Sequence, residues 1–167
     1  MVANTAPSLS SRGEEGEDAH VVVFKSMGGV GVQKDDRVVG LDTYCSMHLT
    51  FCRQLLGRLE NDRKFVIQGH TDNCVERVST TGSNELLGQF IYYPEASGTI
   101  LSVQALDKTF FITMLANCQR AKLTHRINRK FQLDFNMEVK GYEGTLSCKL
   151  NNDQWSQLTS GNNVYAK

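Results

Sequence analysis

From Leu123 to Lys140 the even positions form one polar series, joined from residue 131 onward by apolar odd ones. Every even position is polar (Thr124, Arg126, Asn128, Lys130, Gln132, Asp134, Asn136, Glu138, Lys140), while Phe131, Leu133, Phe135, Met137 and Val139 occupy odd ones. A period of two predicts a half-buried antiparallel strand over residues 131–139, with its polar side turned to water or a partner. Gly141 to Gly144 reads as a turn into a partner strand at 145–150, and a short helical piece follows near 153–158.

Elsewhere the spacing looks helical. Cys45, Leu49, Cys52, Leu56 and Leu59 recur at helical intervals, with Tyr44, His48, Phe51 and Leu55 alongside and Asp42 placed as an N-cap. These predict a helix over 43–59, with an apolar arc broad enough for deep burial or a partner chain. Asp107 opens a second predicted helix, on which Phe110, Phe111, Met114, Leu115 and Cys118 line one face. Apolar, β-branched runs predict strands at 20–27, 64–70, 74–80, 86–93 and 99–106, and a short pair within 30–41 around Lys34-Asp35-Asp36. Asp72-Asn73 and Thr81-Gly82-Ser83-Asn84 read as turns. The expected fold class is α+β, a largely antiparallel sheet packed on two main helices, filling one domain over residues 20–160.

Shifted by 66 residues, the sequence meets itself. Asp62-Arg63-Lys64-Phe65-Val66-Ile67 falls on Asn128-Arg129-Lys130-Phe131-Gln132-Leu133, Cys52 on Cys118, and Leu49 on Leu115. A pseudo-twofold duplication of a strand–helix–strands unit would let two half-covered sheets close one core. The alternative is chance matching between two helix-to-strand junctions. A strand–helix–three-strand unit repeated twice resembles the organisation of DNA sliding-clamp domains. The likeness is one of topology, no clamp motif takes part in it, and it transfers no function.

Composition adds boundaries. With 167 residues, 40% hydrophobic and 22% charged, the chain has ordinary globular usage, and its longest apolar stretches fall far short of a bilayer span. Residues 1–19 set Arg12 against Glu14, Glu15, Glu17 and Asp18 and lack apolar periodicity, which predicts a disordered acidic tail; residues 161–167 read as a frayed end. The net charge of zero argues against a dedicated electrostatic nucleic-acid binder, but the acidic tail leaves the remainder positive. Five cysteines and no Asn-x-Ser/Thr sequon favour a reducing, intracellular setting, cytoplasmic or nuclear.

Catalytic signatures are sparse. Gly28-Gly29-Val30-Gly31 follows a strand but lacks the third glycine and the apolar helix of a phosphate-binding turn. Cys45, His48 and Cys52 would share a helix face, but three ligands over two turns converge poorly on one tetrahedral metal, so no metal and no cofactor are expected. His70 and Asp72 near Cys74 could pair a base with an orienting carboxylate, although turns collect these residue types for backbone reasons.

The sharpest signal is charge. Arg120, Lys122, Arg126, Arg129 and Lys130 lie within eleven residues, with His125 and no acid among them, and the proposed repeat places Arg63 and Lys64 in the position of Arg129 and Lys130. Such corners suit the phosphates of a nucleic-acid backbone or an acidic protein segment, such as Glu14–Asp18 of this chain. A solvated edge whose cations deter strand pairing is the plain alternative. Aromatic residues are thin on that face, which disfavours base stacking. The expected function is a non-enzymatic binding or assembly module with protein partners or self-association, with nucleic acid as the alternative and a His70/Asp72 enzyme as a second. No membrane and no small-molecule substrate are implied. Leu86-Leu87 and Ile91-Tyr92-Tyr93 are the candidate assembly surface.

Overall fold

Val38-Val39-Gly40-Leu41 and Thr99-Ile100-Leu101 are runs of consecutive residues without charge, the pattern of strands covered on both faces. The structure is a computed structural model that describes residues 20–24, 34–61, 63–69 and 75–161. In it, β2 (Val38–Asp42) and β9 (Thr99–Ser102) are buried parallel neighbours inside a seven-stranded sheet. The sheet runs in the order β13 (Ser147–Lys149), β2, β9, β3 (His48–Thr50), β8 (Gly88–Tyr92), β7 (Thr81–Asn84), β4 (Leu59–Glu60).

Two smaller sheets cover its faces. On one side Val38, Leu49, Ile91 and Ile100 pack with Val22, Phe65 and Ile67, from a sheet of β1 (His20–Phe24), β5 (Phe65–Gly69) and β6 (Val75–Val78). On the other, Val39, Leu41, Phe90 and Leu101 pack with Phe110, Leu123, Leu133 and Phe135. These last four come from β10 (Phe110–Leu115), β11 (Arg120–His125) and β12 (Gln132–Phe135), an antiparallel meander. An Asn136–Ser147 bridge links the meander to β13 at the edge of the central sheet. Neighbouring residues of a central strand thus enter opposite cores, as Phe90 and Ile91 do.

Helix is scarce among the described residues. α1 (Val103–Leu106) is a single turn, and α2 (Asn152–Thr159) spans eight residues. α2 forms where a helical piece was expected, because Asn151 and Gln154 close a capping box, each side chain accepting from the other's backbone N–H at 2.8 Å.

The expected α+β class, with a sheet packed on two main helices, is therefore overturned; the fold is mostly β. The predicted 43–59 helix is β3, a 3-10 turn (Arg53–Leu55) and β4. Its apolar spacing arises from burial on two sides: Leu49 enters one core, while Cys52, Leu55 and Leu56 enter the other. Asp42 does accept from the Tyr44 N–H at 2.8 Å, as an N-cap would, but the bond closes a turn. The predicted helix after Asp107 is β10. Thr81-Gly82-Ser83-Asn84 is strand β7, and its glycine is set by space: a Cβ there would meet Leu59 Cδ2 at 3.0 Å and Leu56 at 3.1 Å.

The duplication fails with the helices. Leu49 and Cys52 are buried around β3, which pairs in parallel with β8, whereas Leu115 and Cys118 are exposed at a hairpin. Lys64-Phe65 and Lys130-Phe131 share one local feature, an exposed lysine before a buried phenylalanine, and the clamp-like topology has no counterpart. The expected interface residues Leu87 and Ile91 are buried in the two cores, and Leu86, Tyr92 and Tyr93 pack against them. Residues 1–19, the glycine turn at 28–31, His70, Asp72 and Cys74, and the C-terminus after Gly161 lie outside the described residues. Among the described residues no helix is long and apolar enough to cross a membrane.

Candidate binding face

In an antiparallel pair, residues directly opposite each other point to the same side. The β10–β11–β12 register therefore sorts the meander into an inner and an outer set. Facing the core are Ile112–Leu123–Leu133 and Met114–Ala121–Phe135, with Phe110 opposite His125. Facing outward are Phe111–Thr124–Gln132, then Thr113–Lys122–Asp134, then Leu115–Arg120. Two apolar side chains stand on this outer face, Phe111 at 42% and Leu115 at 45% exposure. They explain why β10 looked helical: with apolar residues on both sides, the period of two disappears.

The cationic stretch is not one strand. The chain reverses at residues 126–130, between β11 and β12. His125 holds this turn from the core side: its Nδ1 accepts from the Ile127 N–H at 3.3 Å and the Asn128 N–H at 3.0 Å. An accepting Nδ1 places the proton on Nε2, so the ring is neutral, and burial pushes its pKa below the ordinary histidine value. Phe110 meets the imidazole edge-on at 5.0 Å. α2 braces the same region, with Gln154 Nε2 donating to the Gln132 carbonyl at 2.7 Å.

On the outside of the turn, two arginines converge on Phe111. The Arg126 guanidinium lies 4.3 Å and that of Arg129 4.9 Å from the ring centroid. Arg126 donates Nε and Nη2 to the Asp107 carbonyl at 3.3 and 3.0 Å, and Arg129 donates Nε to the Arg126 carbonyl at 3.1 Å. Arg120, Lys122, Arg126, Arg129 and Lys130 are all exposed, and none forms an ion pair with a described residue. Asp134 lies directly across from Lys122, and exposed Asp107 stands beside Arg126. Ile127, at the tip of the turn, is 88% exposed.

The structure thus brings five of the seven predicted cations onto one meander and leaves two elsewhere. Arg63 and Lys64 lead into β5, in the sheet that covers the opposite core. Arg63 lies over Phe65 at 5.7 Å, and Lys64 borders, with Arg77, an open cleft of about 270 Å³. Sequence reasoning missed Phe111, Leu115 and Ile127 as parts of the face. The usable signal was Asn117-Cys118 after the uncharged run Phe110–Leu115: Ala116, Asn117 and Cys118 have φ of 52°, 56° and 68°, and Gln119 N–H closes the turn on the Ala116 carbonyl at 3.0 Å. Asparagine at positive φ is a hairpin-turn signature.

The other candidate chemistry is occupied by structural work. His48, 1% exposed, pairs Nε2 with the Leu87 carbonyl at 2.9 Å, while its Nδ1 accepts from the Ser102 N–H at 2.9 Å. Both ring nitrogens are engaged, which leaves no lone pair for a metal, and burial lowers the pKa to about 4. Burial likewise pushes the Cys52 and Cys148 thiols up to about 11, far from the thiolate form a nucleophile needs. Among the described residues no cluster of three or more His, Cys, Asp or Glu could hold a metal ion. Comparison with protein-family models, curated proteins and solved structures returned no match for this chain.

Proposed function

We propose that this chain is a non-enzymatic binding module whose working face is the outer side of β10–β11–β12 and whose partner is single-stranded nucleic acid. The observation that carries the reading is a half-exposed phenylalanine with two guanidiniums on its ring, on a sheet face with three further cations and, as acids, Asp134 across from Lys122 and exposed Asp107 beside Arg126. Single-stranded nucleic acid asks for this combination: cations for phosphates, and aromatic or guanidinium planes on which bases lie. The exposed Leu115 and Ile127 favour a protein partner on the same face, which makes an acidic apolar peptide the second reading.

Fluorescence anisotropy with short oligo-dT and oligo-U probes tests this. If about four phosphates are contacted, log K falls against log salt with a slope near −3, so affinity drops roughly fiftyfold between 50 and 200 mM salt. Phe111→Ala should weaken binding roughly tenfold, whereas Arg63→Ala, on another sheet, should leave it unchanged. Absence of binding to both DNA and RNA at low salt would overturn the reading, and tighter binding of an acidic apolar peptide would replace it with the second.

A further inference from the structure

Arginines on a protein surface are ordinarily held by carboxylates or left free in water. Arg126 and Arg129 are held in neither way. Arg126 is fixed by the Phe111 ring and by two bonds to one carbonyl, and Arg129 by the same ring and the Arg126 carbonyl. These contacts orient the guanidiniums without neutralising them. Of five N–H groups on each, Arg126 uses two and Arg129 one, so three and four have no acceptor among the described residues. Two like charges are thereby gathered at one aromatic ring, beside a turn pinned by His125. An oxyanion there would relieve the repulsion and take up the unused donors. Little side-chain entropy would remain to be lost.

We infer that Arg126 and Arg129, set by Phe111 and the Asp107 carbonyl, form a preorganised phosphate-binding pair. This rests on the nucleic-acid reading for the source of the phosphate and deepens it: the pair is the anchoring point of the face, and Arg120, Lys122 and Lys130 add general attraction. Phosphodiester and free phosphate offer the same chemistry to the two guanidiniums.

Charge-preserving substitution separates an oriented pair from a field of charge. Arg126→Lys and Arg129→Lys retain the charge, so the salt slope of oligonucleotide binding should stay near the wild-type value. Affinity should fall roughly tenfold, because lysine cannot reproduce the planar fork. Arg63→Lys, made as the control before β5 and away from this face, should stay within about twofold. A direct reading comes from the arginine guanidinium Nη resonances, the donors left unused, which should shift for Arg126 and Arg129, and not for Arg63, when inorganic phosphate is titrated into the full-length protein. If wild type binds oligonucleotides but the three lysine variants are alike and no Nη signal moves, the pair is refuted while the nucleic-acid reading stands. If the signals move with phosphate but no oligonucleotide binds, the pair stands and the reading of the partner falls. If neither occurs, both fall.

Discussion

The buried His48 imidazole makes stability depend on pH in a calculable way. Its two nitrogens are satisfied only in the neutral tautomer with the proton on Nε2: Nδ1 must accept from Ser102, and Nε2 must donate to Leu87. Protonation would put a charge beside Phe90, at 4.8 Å, and a second N–H against the Ser102 N–H. Burial accordingly lowers the pKa from 6.5 to about 4. The unfolded chain takes up the proton more readily than the folded one, so this contribution is intact above pH 6.5 and is lost as pH falls towards 4. The loss should reach about 2 kcal/mol at pH 5 and about 3 kcal/mol at pH 4. That is a large share of an ordinary folding free energy of about 5–15 kcal/mol. Urea unfolding between pH 7.5 and 4 measures it, with His48→Gln as the reference, since an amide can both accept and donate but does not titrate. The variant is expected to be less stable at pH 7.5 and to lose less than wild type on acidification. Parallel pH profiles for the two proteins, or a His48 NMR titration centred near 6.5, would refute the assignment.

Two further perturbations follow from the packing. Asn84 donates Nδ2 to the carbonyls of Leu55 (2.7 Å) and Leu158 (2.9 Å) and accepts from the Leu86 and Leu87 N–H groups, joining β7, the 3-10 turn and α2. Asn84→Ala should therefore cost about 3 kcal/mol in urea unfolding, and a loss below about 1 kcal/mol would contradict that role. Cys118→Gly, at φ 68° in the β10–β11 turn, should raise stability by about 0.5–1 kcal/mol by removing left-handed strain, and a lowered unfolding midpoint would contradict this account.

Strands carrying alternation or β-branched runs were legible in the sequence, as was the short last helix, whereas β3, β4 and β10 read as helix and β7 as a turn. The alternation at Phe131, Leu133 and Phe135 appears as β12 and the buried residue before it, and the capping box at Asn151 and Gln154 marks α2. Residues 43–59 misled because one-dimensional spacing does not report how many faces are covered. Two cores on opposite sides of β3 bury neighbouring positions, and the resulting pattern overlaps a helical one. Residues 107–118 misled for the opposite reason, since Phe111 and Leu115 are apolar but point outward. The candidate face was half visible: its cations stand together in the sequence, while its aromatic centre lies on a different strand.

By itself the sequence determined local matters: strands where β-branched and aromatic residues cluster, one short helix with its own cap, and a cationic stretch at 120–130. Tertiary structure alone decided which sheets cover the two faces of the central one and that the cations fold back around a turn. It also brought Arg126 and Arg129 together onto the Phe111 ring. The physical reason is that hydrogen-bond capacity and propensity belong to neighbouring residues. Burial on a given face depends on what packs against it, and here that comes from strands distant in the chain.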